Sequence, residues 1–342
     1  MKAVRFHQHG GPEVLCYEDA PDPDLAPGEV LVRVRACALN HLDLWARRGL
    51  PHVRIPMPHI TGSDVAGEVV SSASADVLAG CRVMLQPGVS CGRCRECLSG
   101  RDNECARYEV LGYVNHPGGY AEYVKVPVQN LIPIPDEIDY VRAAAFPLTF
   151  LTAWHMLMGR AKLERGEDVL VLAAGSGVGQ AAIQIAALQG ARVFATAGSA
   201  DKLARARELG AFEVIDHHRQ DIAVEIKRLT NRRGVDVVIE HVGEATWAGS
   251  VRSLARGGRL VTCGATTGAN GAINLDALFS KRLSILGSYM GTKGELMCAS
   301  RFFFAGQLTP VIDQTYPLRD AAEAHRRMEA SGQFGKIVLE MP

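Results

Sequence analysis

Four of the nine cysteines stand within fifteen residues, in the run CGRCRECLSGRDNEC: Cys91, Cys94, Cys97 and Cys105. They are separated by two, two and seven residues. Four thiolates so spaced can close a tetrahedral zinc site that keeps no open position. The metal expected here is therefore structural. Closely spaced cysteines also hold iron–sulfur clusters, an alternative that spacing alone leaves open. The other five, Cys16, Cys37, Cys81, Cys263 and Cys298, are dispersed and read as small buried apolar residues.

A second run, VLVLAAGSGVG, could do different chemistry. Gly175, Ser176, Gly177, Val178 and Gly179 lie between an apolar strand and a helical stretch. Glycine permits a sharp turn there, and the free amides and dipole of the helix N-terminus favour a pyrophosphate. The glycines are spaced two apart, so the G-x-G-x-x-G pattern is not literal; the strand–turn–helix context is what points to a dinucleotide. After the next strand come Ala197, Gly198 and Ser199, where NAD sites place an acid on the ribose. No acid there repels a 2′-phosphate, and Lys202 and Arg205 follow as sources of positive charge. NADPH is the expected cofactor and NADH the alternative.

The elements that position these runs differ along the chain. In the first 130 residues Pro and Gly are dense and strands are short. Val30–Arg35 alternates apolar and basic residues, and Val65–Val70, Arg82–Leu85 and Tyr120–Val126 read as further strands. No long helical period appears, so this part predicts an antiparallel, partly barrel-like β region. From Glu167 onward, strands at 168–174, 191–197, 214–216, 235–240, 258–264 and 283–288 alternate with helices at 178–189, 200–209, 221–230 and 246–255. That alternation predicts a doubly wound parallel sheet, an α/β fold. A helix near 320–330 and a strand Lys336–Glu340 close the chain.

The 342 residues carry 37 basic and 37 acidic side chains, so no general attraction to nucleic acid or anionic membrane is expected. No apolar run suits a membrane span, and the first residues lack a signal-peptide core. The expected location is cytoplasmic, where nine cysteines do not form a disulfide framework.

The cysteine lobe and glycine turn, with the segments ALNHLDLW and PHITGSDVAGEVV, resemble the medium-chain dehydrogenase/reductase superfamily over essentially the whole chain. The resemblance implies a GroES-like catalytic domain, residues 1–149 and 288–342, interrupted by a Rossmann domain, 150–287. The structural zinc lobe falls at about 88–108, and the substrate cleft between the domains. It also implies a homodimer formed along LSILGSYM, with a tetramer as the alternative. Thr152, Gly243 and Gly264 match positions near the nicotinamide, and His41 and His217 match positions near cofactor phosphates.

The departures from the family pattern concern the catalytic metal. Where the first cysteine ligand is expected stands Asn40; the Gly-His-Glu segment is Gly62, Ser63, Asp64; the third ligand position is Leu148. Leu42 replaces the hydroxyl that relays the proton. Soft donors are missing, so no catalytic zinc is expected. An ordinary alcohol needs such a metal to lose its proton, whereas a quinone or α,β-unsaturated carbonyl is already electrophilic. The sequence therefore reads as an NADPH-dependent quinone or enone reductase. The alternatives are an alcohol or aldehyde dehydrogenase with an unconventional metal site built from His41, His59 and Asp64, and a non-enzymatic nucleotide-binding protein. Asn40 is the candidate donor to a substrate carbonyl, Ser63 and Asp64 face the floor of the site, and Asp43 is expected to pair with a nearby basic group. Trp45 and Tyr113 read as core more than pocket.

Overall fold

The computed structural model describes residues 1–51, 53–72 and 79–341. The chain forms two compact units, Met1–Leu148 with Thr292–Pro342, and Thr149–Gly291. The return to the first unit falls at Gly291 rather than residue 287. Two local contacts explain it. Ser288 N still donates to Thr262 O at 2.8 Å, and Thr292 opens a capping box with Glu295 that starts the helix Lys293–Phe304.

In the first unit the strand Glu29–Ala38 is the hub. Val30, Val32 and Val34 alternate inward and are fully buried, the period-2 pattern of a sheet with one face on the core. Asp64–Ser72 and Lys336–Glu340 flank it, both antiparallel, and Tyr123–Pro127 also pairs with it. Arg82–Leu85 and Leu131–Pro133 extend the sheet on one side. On the other, Ile312–Pro317 runs parallel to Lys336–Glu340. The sheet is therefore not antiparallel throughout: the helix Ala321–Glu329 lies between those two strands in sequence, and a helical crossover returns the chain in the same direction.

Register decides what meets at one end of this sheet. Ala38 lies opposite Asp64 on one neighbour and opposite Val338 on the other. Leu39 and Asn40, the start of the Asp64 strand and the start of the Lys336 strand therefore converge. The helix His41–Arg48 leaves from the same point. It is a helix that sequence periodicity did not reveal, because its buried face carries Asp43 and Arg47 beside Leu44 and Ala46.

The second unit is a six-stranded sheet, all pairs parallel: Asp168–Val171, Arg192–Ala197, Glu213–Asp216, Val235–Glu240, Leu254–Thr262 and Ser284–Gly287. Numbered in chain order, they lie third, second, first, fourth, fifth, sixth, the order of a doubly wound dinucleotide-binding sheet. Val169, Leu170, Val171, Val237, Val238 and Ile239 are fully buried, as expected of strands covered on both faces. The fifth strand begins at Leu254 rather than 258, because the preceding helix ends at Ser253.

Candidate active site

The cysteine lobe brings its four Sγ atoms within 4.8 Å of one another. Cys91 and Cys97 sulfurs are 3.9 Å apart, and those of Cys94 and Cys97 3.5 Å. Zinc–sulfur bonds of about 2.3 Å set tetrahedron edges of about 3.8 Å, so the donors fit zinc. The Arg93 backbone amide, and next the Arg107 guanidinium, pull the Cys91 thiol down to about 5. The thiolate is the form that binds metal. Cys91, Cys94, Cys97 and Cys105 would hold the ion in a closed shell that offers no position to substrate.

At the converging end of the first unit's sheet, the polar groups consume one another. Asp64 Oδ1 accepts the Leu148 amide at 2.7 Å. Its Oδ2 accepts Asn40 Nδ2 at 2.9 Å and the Lys336 ammonium at 3.0 Å. Lys336 Nζ also donates to Asn40 Oδ1 and to Leu39 O, each at 2.7 Å. Ser63 Oγ donates to Leu111 O at 2.5 Å. The Lys336 and Asp64 side chains are 2% and 0% exposed. Asn40, Asp64 and Leu148 do come together, but their lone pairs and protons are committed inward. A catalytic metal does not fit Asn40, Ser63, Asp64 and Leu148: none of them offers a thiolate or imidazole, and an ammonium already sits on the Asp64 carboxylate.

Asp43 lies one helical turn on. Its carboxylate accepts Asn40 N at 2.8 Å, Thr61 Oγ1 at 2.7 Å, Gly62 N at 3.2 Å and the Tyr120 hydroxyl at 3.2 Å. Its hydrogen-bond partners are thus neutral donors, not the basic group expected. Burial pushes its carboxyl up to about 6 against those hydrogen bonds. Gly62, at φ +103, lets Tyr120 pass: a Cβ there would lie 2.4 Å from the Tyr120 ring. Tyr120 continues to His325 Nε2 at 3.2 Å, and His325 Nδ1 meets Arg47 Nη1 at 3.0 Å. Burial first, then Arg47, lowers His325 to about 3, so it stays neutral.

In the second unit, the first strand runs into the turn Ala173–Ser176 and the helix Gly177–Leu188. Ser176 caps that helix, accepting Gly179 N at 2.8 Å, and lies 3.3 Å from His241 Nε2. A Cβ on Gly179 would sit 2.3 Å from Ala173 O, so helix and strand approach as only glycine allows. The Gly177 and Val178 amides belong to the first turn, where no preceding carbonyl is available to them. This cradle fits a pyrophosphate. Ser199 caps the next helix through Lys202 N. Beside it, His217 and His218 Nε2 lie 3.0 and 2.5 Å from where a Gly198 Cβ would stand. Buried Glu240 ties down the turn after the fourth strand, accepting Val242 N, Gly243 N, Thr246 Oγ1 and Ser250 Oγ. Gly243, Gly264, Trp247 and Tyr289 line a cavity of about 620 Å³ at the carboxyl ends of the fourth to sixth strands, the side on which such sheets bind ligands. Thr152 is buried in this unit, and His41 lies at the start of its helix in the other.

Comparison with known proteins gives both units a family. Residues 26–136 match the alcohol dehydrogenase GroES-like domain and 177–305 the zinc-binding dehydrogenase domain. Quinone oxidoreductases of Homo sapiens and Pseudomonas aeruginosa are 31% and 32% identical to this chain over 99% of its length, and over 97% and 99% of theirs. The chain belongs to the medium-chain dehydrogenase/reductase superfamily. As a member it is an NAD(P)-dependent oxidoreductase. Among solved structures, this medium-chain enzyme is similar to an NAD-dependent alcohol dehydrogenase, with 47% identity over all of both chains and a TM-score of 0.96. It is also similar to a cobalt- and zinc-bound alcohol dehydrogenase from Pyrobaculum aerophilum, with 33% identity over 99% of each chain and a TM-score of 0.90.

Several residues of this medium-chain enzyme depart from expectation. Asn40 is turned inward, one amide hydrogen on Asp64 and its oxygen on Lys336. Ser63 is fully buried. His59 is buried against Gly112 O, and burial lowers its pKa. Cys16, Cys81 and Cys298 are exposed, not buried: Cys16 lies on the exposed Cys16–Asp19 strand, and Cys298 falls outside the buried positions of its helix. Cys37 is buried as expected, and Tyr113 packs beside Phe6, Ala46 and Ile55. Lys336 was missed, and its only sequence signal was a basic residue opening an apolar strand. Ala173 was missed too. At φ +47 it takes a left-handed backbone that glycine favours, so the turn begins two residues before Gly175.

Proposed function

We propose that this enzyme transfers hydride from NADPH to a quinone or another α,β-unsaturated carbonyl without a catalytic metal. The observation that carries the reading is the committed state of Asp64: Asn40, Leu148 and Lys336 use both of its oxygens. No Lewis acid is thus available there to draw a proton from an alcohol. A conjugated carbonyl does not need one. Its oxygen takes the electron pair as hydride adds to carbon, and a proton from solvent gives the saturated carbonyl; for a quinone, the ring carbon then loses a proton as the second oxygen gains one, completing the hydroquinone.

Bound NADPH would supply the hydride. Ser176, Gly177, Val178 and Gly179, with Gly175 in the turn, would hold its pyrophosphate. Ser199, Lys202 and His217 would receive the adenosine end, with Lys202 supplying charge to the 2′-phosphate. Gly243, Gly264 and Thr152 would adjoin the nicotinamide, and His41 a phosphate. In this reading Asn40, Ser63 and Asp64 shape the substrate side through their fixed hydrogen bonds. The four-cysteine zinc is structural. The 47%-identical neighbour, titled an NAD-dependent alcohol dehydrogenase, favours a second reading: NADH and an alcohol.

No helix among the described residues is long and apolar enough to cross a membrane. All nine cysteines are free, which suits a reducing cytoplasm. We also propose a homodimer through the sixth strand of the parallel sheet. The deciding experiment assays quinones, enones, enoyl thioesters, aldehydes and alcohols with both cofactors, alongside metal content. Quinone or enone reduction at least tenfold better with NADPH, on protein holding one zinc per chain, is expected. Alcohol oxidation by protein holding two would overturn the proposal.

A further inference from the structure

Strand order in the parallel sheet reverses between Asp168–Val171 and Val235–Glu240, and in such sheets the ligand crevice opens at that point. His241 stands there, immediately after the fourth strand. Its Nε2 lies 3.3 Å from Ser176 Oγ, the oxygen that caps the helix Gly177–Leu188 by accepting Gly179 N at 2.8 Å. The backbone carbonyls of Leu172 and of His241 itself also face the ring as acceptors. Only Nδ1 is close enough to the main chain to serve the ring's own carbonyl, so Nε2 is left to Ser176.

The protonation state of this ring decides which way the Ser176 hydroxyl points. A neutral imidazole with its hydrogen on Nδ1 presents only a lone pair at Nε2. The hydroxyl must then donate to His241, and Ser176 meets an incoming anion with oxygen lone pairs. An imidazolium donates from both nitrogens. Ser176 Oγ then accepts from Nε2 and from Gly179 N, and its hydrogen is free to turn into the crevice. The turn also lacks a cation of its own, because no lysine or arginine occurs from Gly166 to Ala191.

We propose that His241 takes up a proton when the cofactor binds, turning the Ser176 hydroxyl toward the diphosphate and placing a positive charge beside it. The inference rests on reading this turn as a dinucleotide site, but not on NADPH over NADH or on any substrate. Burial holds the ring below its ordinary pKa, so the unliganded enzyme presents it neutral. The negative charge of Glu240, on its own strand, and the two carbonyls favour the cation. Burial pushes the Cys263 thiol, on the fifth strand, up to about 12, so it adds no charge. The turn Ala173–Gly179 carries no titratable side chain. A diphosphate brought beside the ring adds negative charge and raises its pKa. His241 is accordingly a positioning residue that acts through Ser176.

Calorimetric titration of the full chain with NADPH and with NADH tests this. Runs at pH 6, 7 and 8 in buffers of differing ionisation heat count the protons taken up per cofactor bound. The native enzyme should take up a proton and lose affinity about tenfold from pH 6 to pH 8, beyond any loss in His241→Gln. The 2′-phosphate of NADPH titrates alike with both proteins, so the difference between them isolates His241. A histidine that only braced the turn would weaken the variant equally at every pH and take up no proton. Ser176→Ala keeps the imidazole but removes the hydroxyl that it turns. This variant should lose the extra uptake as well, and it serves if the glutamine variant fails to fold. Equal uptake and equal pH slopes in native enzyme and His241→Gln overturn the proposal, as does full uptake in Ser176→Ala. Tight binding without that difference refutes the role of His241 alone. A native chain that binds neither cofactor refutes the dinucleotide reading, and this proposal with it.

Discussion

Asp43 shows how one buried group sets the pH response of the polar end. Burial raises its carboxyl from 3.8 to about 6, opposed by hydrogen bonds from Asn40, Thr61 and Gly62 and by the charge of Lys336. A folded-state pKa above the unfolded one means that the folded chain holds a proton the unfolded chain has released. The resulting stabilisation is full below about pH 4 and is lost as pH rises through about 6. Between pH 5 and pH 8 this loss is about 1 kcal/mol. Asp43→Asn cannot titrate. The stability advantage of the native protein over this variant should therefore shrink by that amount between pH 5 and pH 8 in urea unfolding. An advantage that stays constant, or grows with pH, would refute the assignment. The variant should also be less stable throughout, because its amide nitrogen faces the Asn40 N–H that the carboxylate accepts.

Among the elements, the pyrophosphate turn depends on how closely its helix approaches its strand. Gly179→Ala puts a methyl group 2.3 Å from Ala173 O, a backbone atom that can yield only if the helix moves. The expected result is at least tenfold weaker NADPH binding in a fluorescence titration, with a stability loss of about 1–3 kcal/mol. Unchanged affinity would show that the turn does not hold the cofactor. This unit was the legible part of the sequence. Its strands are buried on both faces, so apolar runs such as DVLV and VDVVIE announce them, and glycine marks the turn between. The four cysteines were legible for a related reason: metal ligands close in sequence need only a short lobe to meet. The polar end of the other sheet was legible only in part. The resemblance brought residues 40, 64 and 148 to one site, but strand register, which no local spacing encodes, brings residue 336 to them. The helix His41–Arg48 hid because Asp43 and Arg47 occupy the inward positions that hydrophobic periodicity requires to be apolar. Asn40 was identified as a position of interest, but its orientation was set by Lys336, a residue 296 positions away.

For the whole molecule, the parallel sheet ends on a strand that has no further neighbour within the described chain. Ser284–Gly287 pairs with the fifth strand on one side, leaving a row of backbone donors and acceptors on the other. Beside it, Leu275 and Phe279 on the helix Leu275–Ser280 are 68% and 70% exposed, and Tyr289 is 59% exposed. An unpaired edge beside exposed apolar side chains suits a second copy of the same strand, running antiparallel about a two-fold axis and joining two sheets into one. Zero net charge adds no long-range repulsion between copies. The chain of 36.8 kDa should therefore sediment as a dimer at micromolar concentration. Phe279→Glu would bury a carboxylate in that interface, and Ile285→Lys would place an ammonium on the pairing strand. Both variants should shift the boundary to the monomer while keeping the metal content of the cysteine lobe, which lies in the other unit. A monomeric native protein, or a dimer indifferent to both substitutions, would exclude this edge as the contact.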